Sequence, residues 1–168
     1  MVFPKTTGRL EAVASMVPRG SRVADIGTDH ALLPRMLLDC GRADYCIASD
    51  VQEGGTRFPD VDYRRGEGLL VLRPEDRIDV VTIAGMGARS MIRILDDDRR
   101  TLLNIRRAVL QPQRDAPALR RWLAARDYPL VAEKPVLDRG RFYFVMAAEL
   151  RRRKGAYSHP TLALDDLL

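Results

Sequence analysis

A small set of acidic and glycine residues, with one histidine, carries the chemistry legible in this chain. In VADIGTDHALLP, residues 23–34, a run of small apolar residues leads to Asp25, then Gly27, then the pair Asp29 and His30. In a doubly wound α/β sheet the first strand ends on the edge where ligands bind, and a glycine there lets the backbone pass close to the ligand. Asp25 can then accept a hydrogen bond from a cationic group such as an amino acid ammonium. Two more acidic positions follow. Asp50, with Val51 after it, closes the second strand, and Glu67 stands between Gly66 and Gly68 after the third. A carboxylate in the second position can take both ribose hydroxyls, and one in the third can accept from an adenine amino group. Each alone is more often a cap or turn residue; three arriving in order at consecutive strand ends form a binding set.

The set argues against a dinucleotide. A pyrophosphate cradle needs G-x-G-x-x-G, for the turn, the close phosphate approach and the helix packing. Here Gly27 is followed by Thr28, Asp29 and His30, which puts acidic and imidazole groups where phosphates would sit. A cofactor with a positive centre is favoured, and S-adenosylmethionine, with its sulfonium and ammonium, meets the requirement.

These residues need a sheet to bring them together. Apolar runs alternate with helical patterns, the mark of βαβ units and a mostly parallel sheet. Strands are expected at about 22–26, 45–50, 61–65, 78–84, 106–111, 129–136 and 142–149. An opening helix carries Leu10, Val13, Ala14 and Val17, and further helices are expected at about 30–40, 88–97 and 115–126, the last burying Leu119, Trp122 and Leu123. The final two strands have only a Gly140 turn between them and form an antiparallel hairpin. Six helix-linked parallel strands are typical of dinucleotide folds, whereas a terminal antiparallel pair is what a Rossmann-like class I methyltransferase adds to that core. The expected fold is therefore α/β, a seven-stranded mostly parallel sheet with helices on both faces.

The 168 residues, 46% of them hydrophobic, suffice for one well-filled domain and fall short of two ordinary ones. A net charge of +5, from 28 Lys and Arg against 23 Asp and Glu, permits a polyanionic partner without demanding one. Cys40 and Cys46 have no His or Cys cluster beside them, so neither a metal site nor a disulfide framework is expected. A reduced, cytoplasmic setting follows, and no apolar run has the length of a membrane helix.

VADIGTDHALLP, GEGL at 66–69, TIAGMG at 82–87 and VLQPQRDAPALRRWL at 109–123 resemble the bacterial tRNA adenine-N1 methyltransferases of the TrmK type, which act at tRNA position 22. The resemblance covers about residues 8–150. It implies an S-adenosylmethionine-binding methyltransferase domain, taken as 1–150, followed by a helical domain that helps hold tRNA, of which 151–168 would be the start. It places Asp25 and Gly27 in the first cofactor loop, Asp50 at the ribose and Glu67 where the family often has Asp. Ala84, Gly85 and Met86 match the loop bordering the methyl group and the target base. Gln111 and Pro112 fit the family's L-Q-P-N segment, but Gln113 replaces the Asn. Another departure lies between Asp50 and Gly66, where too few residues remain for the usual helix.

Adenine N1 carries a free lone pair at neutral pH, so alignment is the main requirement for methyl transfer. The base must be extruded into the pocket. Asp29 and His30 are the candidates to stabilise the cationic product or take its proton; their plainer readings are a helix N-cap and a satisfied first-turn histidine. Arg9, Arg114, Arg120, Arg121 and, within the Arg151–Lys154 run, Arg152 are the candidates for RNA phosphates. No metal is expected, and a monomer is favoured. A class I methyltransferase with another substrate and a non-catalytic RNA-binding module with this fold are the alternatives.

Overall fold

Buried central strands read as continuous apolar runs, and Val80-Val81-Thr82-Ile83 and Ala108-Val109-Leu110 are of that kind. Both lie in the middle of a seven-stranded sheet. The computed structural model describes residues 8–28, 30–52, 55, 57–97 and 104–150. Its elements are α1 (Gly8–Met16), β1 (Ser21–Ile26), α2 (Leu32–Asp39), β2 (Ala43–Asp50), β3 (Asp62–Arg65), β4 (Val80–Met86), α3 (Ala88–Asp97), β5 (Arg107–Pro112), α4 (Ala116–Ala125), β6 (Leu130–Asp138) and β7 (Arg141–Glu149). Two short 3₁₀ turns, Gly68–Val71 and Pro74–Asp76, join β3 to β4.

The strand order is β3-β2-β1-β4-β5-β7-β6. The first five strands pair in parallel, and β7 pairs antiparallel with both β5 and β6. This is the expected architecture, including the closing hairpin. Because residues alternate across a strand, each face has its own core. Val23, Cys46, Val80, Val109 and Val145 pack with Val13, Val17, Leu33 and Leu37 of the α1–α2 side. Ala24, Ile47, Val81, Ile83, Leu110 and Met146 pack with Met91, Leu95, Leu119 and Leu123 of the α3–α4 side.

Where element ends differ from expectation, the reasons are local. The fourth strand starts at Val80 because Asp79 is already engaged in the turn, its Oδ1 accepting from Arg22 N at 2.7 Å. Helix α2 starts at Leu32, not 30, because Ala31 takes the left-handed region at φ 50°. Between β2 and β3 no helix occurs among the described residues; Phe58 and Val61 cover Ala31 and Ala48 instead. The edge strand β3 is tied down on its other side by polar bonds. Arg64 donates to both Asp62 and Asp76, and Tyr45 Oη donates to Asp62 at 2.5 Å. The expected extension at 151–168 lies outside the described residues.

Candidate active site at the carboxyl edge of the sheet

In β1 the chain runs Val-Ala-Asp-Ile, and register places Asp25 beside Thr82 of β4 and Ala48 of β2. Asp25 is 5% exposed, and Thr82 Oγ1 donates to its Oδ1 at 2.7 Å. Burial pushes its carboxyl up from 3.8 to about 6, against the opposing pull of the hydrogen bonds from Thr82 and Thr28. A carboxylate held in this way is stabilised by a cation arriving beside it. The sequence marks Thr82 only by a hydroxyl in the otherwise aliphatic run Val80–Ile83, too little to place it in the site.

The chain turns at Gly27, whose φ of +75° favours glycine, and both Gly27 N and Thr28 N donate to Ser49 O, at 2.8 and 3.0 Å. Thr28 Oγ1 then accepts from Ala31 N at 3.1 Å, setting the entry to α2. A methyl added to Gly27 would lie 2.0 Å from Met86 Cε, so the first loop and the end of β4 close on one small space. Ser49 Oγ, one residue before the end of β2, is buried without a hydrogen-bond partner among the described residues.

Asp50 ends β2, its Oδ1 accepting from Gln52 N at 2.8 Å, and Val51 beside it is exposed. Glu67 is exposed, with a carboxylate oxygen 3.9 Å from Arg93, and Gly68 follows at φ +53° over Ile94. The three acidic positions thus lie at or just past the ends of β1, β2 and β3, neighbours in the sheet. Ala84, Gly85 and Met86, expected in a loop after the fourth strand, are instead its last three residues, where the register shifts between Ala84 and Met86; Gly85 has φ +80° with open space on its Cβ side, and Gly87, just past the strand, is open as well.

A second group of side chains occupies the β5 side. Gln111 is buried, and its Oε1 accepts from Gly85 N at 3.1 Å. Gln113 N donates to Met86 O at 2.7 Å, which fastens the residue after β5 to the last residue of β4. Arg9 of α1 reaches into this group. Its Nε donates to Asp138 at 2.8 Å, and its Nη1 donates to Gln111 Oε1 at 3.1 Å and Gln113 Oε1 at 2.9 Å. A guanidinium has donors only, so both carboxamide oxygens must face Arg9. Gln111 Nε2 donates to Pro112 O at 3.0 Å.

The expected RNA contacts divide. Arg9 is engaged inside the protein, a placement no local pattern signals because its partners lie 102 to 129 residues away. Arg120 pairs with Glu133 at 2.5 Å and lies over the Phe144 ring. Arg114 and Arg121 are exposed, and Arg152 lies outside the described residues, as does Asp29. His30, expected in the first turn of a helix, is exposed in a bend ahead of α2. A cavity of about 400 Å³ lies at the opposite end of β4, between Leu72, Arg77, Asp79 and Ile105, and holds none of these residues.

The geometry therefore supplies an acidic half, suited to a cation bearing hydroxyl and amino groups, beside a carboxamide half. S-adenosylmethionine fits on these observations: the buried Asp25 has no counter-charge among the described residues, and Gly85 and Gly87 leave backbone open to a ligand. Comparison with known proteins points the same way. Residues 6–146 match the family model described as a methyltransferase domain. A Bacillus subtilis tRNA (adenine(22)-N(1))-methyltransferase is 32% identical over 95% of this chain and 71% of its own. The solved Bacillus subtilis M1A22 tRNA methyltransferase TrmK superposes with a TM-score of 0.77 at 32% identity, over 86% of this chain and 66% of that one. A Streptococcus pneumoniae protein solved in complex with S-adenosyl-L-methionine gives 0.79 at 35% identity, over 88% and 74%.

Proposed function

Since this chain belongs to the family of bacterial tRNA (adenine(22)-N1)-methyltransferases, we propose that its carboxyl edge transfers a methyl group from S-adenosylmethionine to N1 of adenine 22 in tRNA. The observation that carries the reading is Asp25, a buried carboxyl raised to about 6 with no cation beside it among the described residues, next to a glycine loop. An ammonium placed there would draw it into its ionised form. Asp50 would accept from the ribose hydroxyls and Glu67 from the adenine amino group. When bound, S-adenosylmethionine supplies an electrophilic methyl carbon on a sulfonium, which adenine N1 can attack with its own lone pair.

The chain then has to orient the base and deal with charge. Arg9 turns the Gln111 and Gln113 oxygens inward, so the nitrogen of Gln113 is the donor left for a ring nitrogen of the incoming base. Gly85 and Gly87 allow an aromatic ring to approach backbone without meeting a side chain. Methylation makes the ring cationic and its amino group acidic; His30, exposed on this edge, and Asp29 are the groups proposed to take that proton. Such positioning supplies most of the rate when the nucleophile needs no base.

Among the described residues no helix is long and apolar enough to cross a membrane. We place the enzyme in the cytoplasm with its tRNA, acting as a monomer. The test is methyl transfer from labelled S-adenosylmethionine to unmodified tRNA, with the product located by reverse-transcription arrest. Arrest at position 22, lost when A22 is replaced by G, supports the reading. Label elsewhere, or no transfer by a chain that binds both ligands, refutes it.

A further inference from the structure

The β6–β7 hairpin is held along the whole of one face, whereas on the other Arg120 of α4 covers Phe144 and Glu133 and only the tip is bare. On the held face Val136 and Tyr143 pair across the strands under α1, where Arg9 lies 4.9 Å from the Tyr143 ring centre. On the other face Leu137 pairs with Phe142, and they are 60% and 73% exposed; Phe144, two residues along, is 36% exposed. Single exposed apolar residues are ordinary, but a contiguous patch needs a reason. This one has a definite location. Leu110 pairs with Met146, so Pro112, the last residue of β5, stands level with Phe144. Phe142 and Leu137 project past it by two residues, roughly 7 Å. The bare Leu137–Phe142 tip therefore overhangs the edge that holds Gln111 and Gln113.

The charge around it has one sign. Arg139 in the turn and Arg141 just after it are both exposed, and neither has a carboxylate partner among the described residues. The nearby acids are committed, Asp138 to Arg9 and Glu133 to Arg120. A second protein chain seated here would have to bring both an apolar surface and new carboxylates. An RNA brings bases and phosphates together, and aromatic side chains beside arginines are the usual platform for unpaired bases. Extruding the target base also leaves its neighbours unstacked.

We propose that the Leu137–Phe142 face stacks an unpaired base adjoining the target adenosine, with Arg139 and Arg141 on the flanking phosphates. This rests on the tRNA reading above and adds to it a surface that the cofactor site does not require. The experiment is a titration of unmodified tRNA into the full chain across a range of KCl concentrations, for wild type, Phe142→Ala, Phe142→Trp and the double variant Arg139→Ala/Arg141→Ala. S-adenosylmethionine affinity, melting temperature and sedimentation are measured on each. Stacking predicts that Phe142→Ala weakens tRNA binding by about 5- to 100-fold with its salt slope unchanged. Tryptophan should restore it. The arginine pair should instead lower the slope by about 1.4, since each single-strand phosphate that a side chain neutralises adds about 0.7. Cofactor affinity and melting temperature should not move. Wild-type tRNA affinity in Phe142→Ala overturns the proposal alone, and so does a lowered melting temperature or a change from oligomer to monomer, which would assign the patch to this chain's own residues or to a second copy. Failure of the wild type itself to bind tRNA overturns the substrate reading along with it.

Discussion

The two halves of the carboxyl edge are built differently. On the β1–β2–β3 side each candidate residue sits at or just past a strand end, placed by its own segment: Asp25 and Gly27 at the end of β1, Asp50 at the end of β2, Glu67 after β3. On the β5–β7–β6 side position comes from afar. Arg9 on the first helix meets Gln111 on the fifth strand and Asp138 on the sixth, side chains more than a hundred residues away from it. On the proposed reading, binding the cofactor rests on local turns, whereas orienting the base draws on parts of the chain that only the finished fold assembles.

Removing charge from the first half should give the largest effect. Asp25→Asn should weaken S-adenosylmethionine binding by about 100-fold or more, because a buried charge partner is lost. The same substitution should stabilise the ligand-free protein. With its carboxyl raised from 3.8 to about 6, Asp25 costs the fold nothing below pH 3.8; the cost grows between those two values and is complete above them. Denaturant unfolding should show Asp25→Asn gaining up to about 3 kcal/mol at pH 8 and nothing at pH 3.5.

In the second half the loss should appear in rate. Arg9→Ala should lower kcat by about 30- to 100-fold, since misplacing orienting groups by an ångström is that costly. Its tRNA affinity and salt slope should stay near wild type, which separates an orienting role from a phosphate contact. Arg9→Lys, a compact charge without the planar fork that spans Asp138 and the two carboxamides, should recover only part of the rate.

A pH titration sharpens the contrast further. S-adenosylmethionine affinity in the wild type should hold above pH 6 and fall by about tenfold per unit below it, as Asp25 takes up its proton. Asp25→Asn should show no such break. The smallest effect belongs to the amino ends of β2 and β3, on the opposite edge of the sheet from both halves. Tyr45→Phe removes the hydroxyl that Asp62 holds at 2.5 Å and should lower stability by about 1 kcal/mol while leaving turnover untouched.

The same division governs what the sequence reveals. All seven strands, four helices and the closing hairpin were legible because apolar period and turn glycines are local signals. So were the acidic strand ends, since Asp25 and Asp50 stand beside the patterns that end their strands. Thr82 was hidden inside an aliphatic run, and its role depends on β1 and β4 lying side by side. Arg9 gave no sign of its partners, and its charge alone suggested an RNA contact. Phe142 and Leu137 read as ordinary strand residues; only the overhang of the hairpin past β5 exposes them beside the site.

The division is tested most directly by calorimetric titration of S-adenosylmethionine into Arg9→Ala. Affinity within about twofold of wild type, in a variant whose methyl transfer is slowed, is the expected result and would leave the cofactor half standing without its neighbour. Affinity that falls in step with the rate would contradict it, and would mean that the Arg9 network holds the cofactor loop itself.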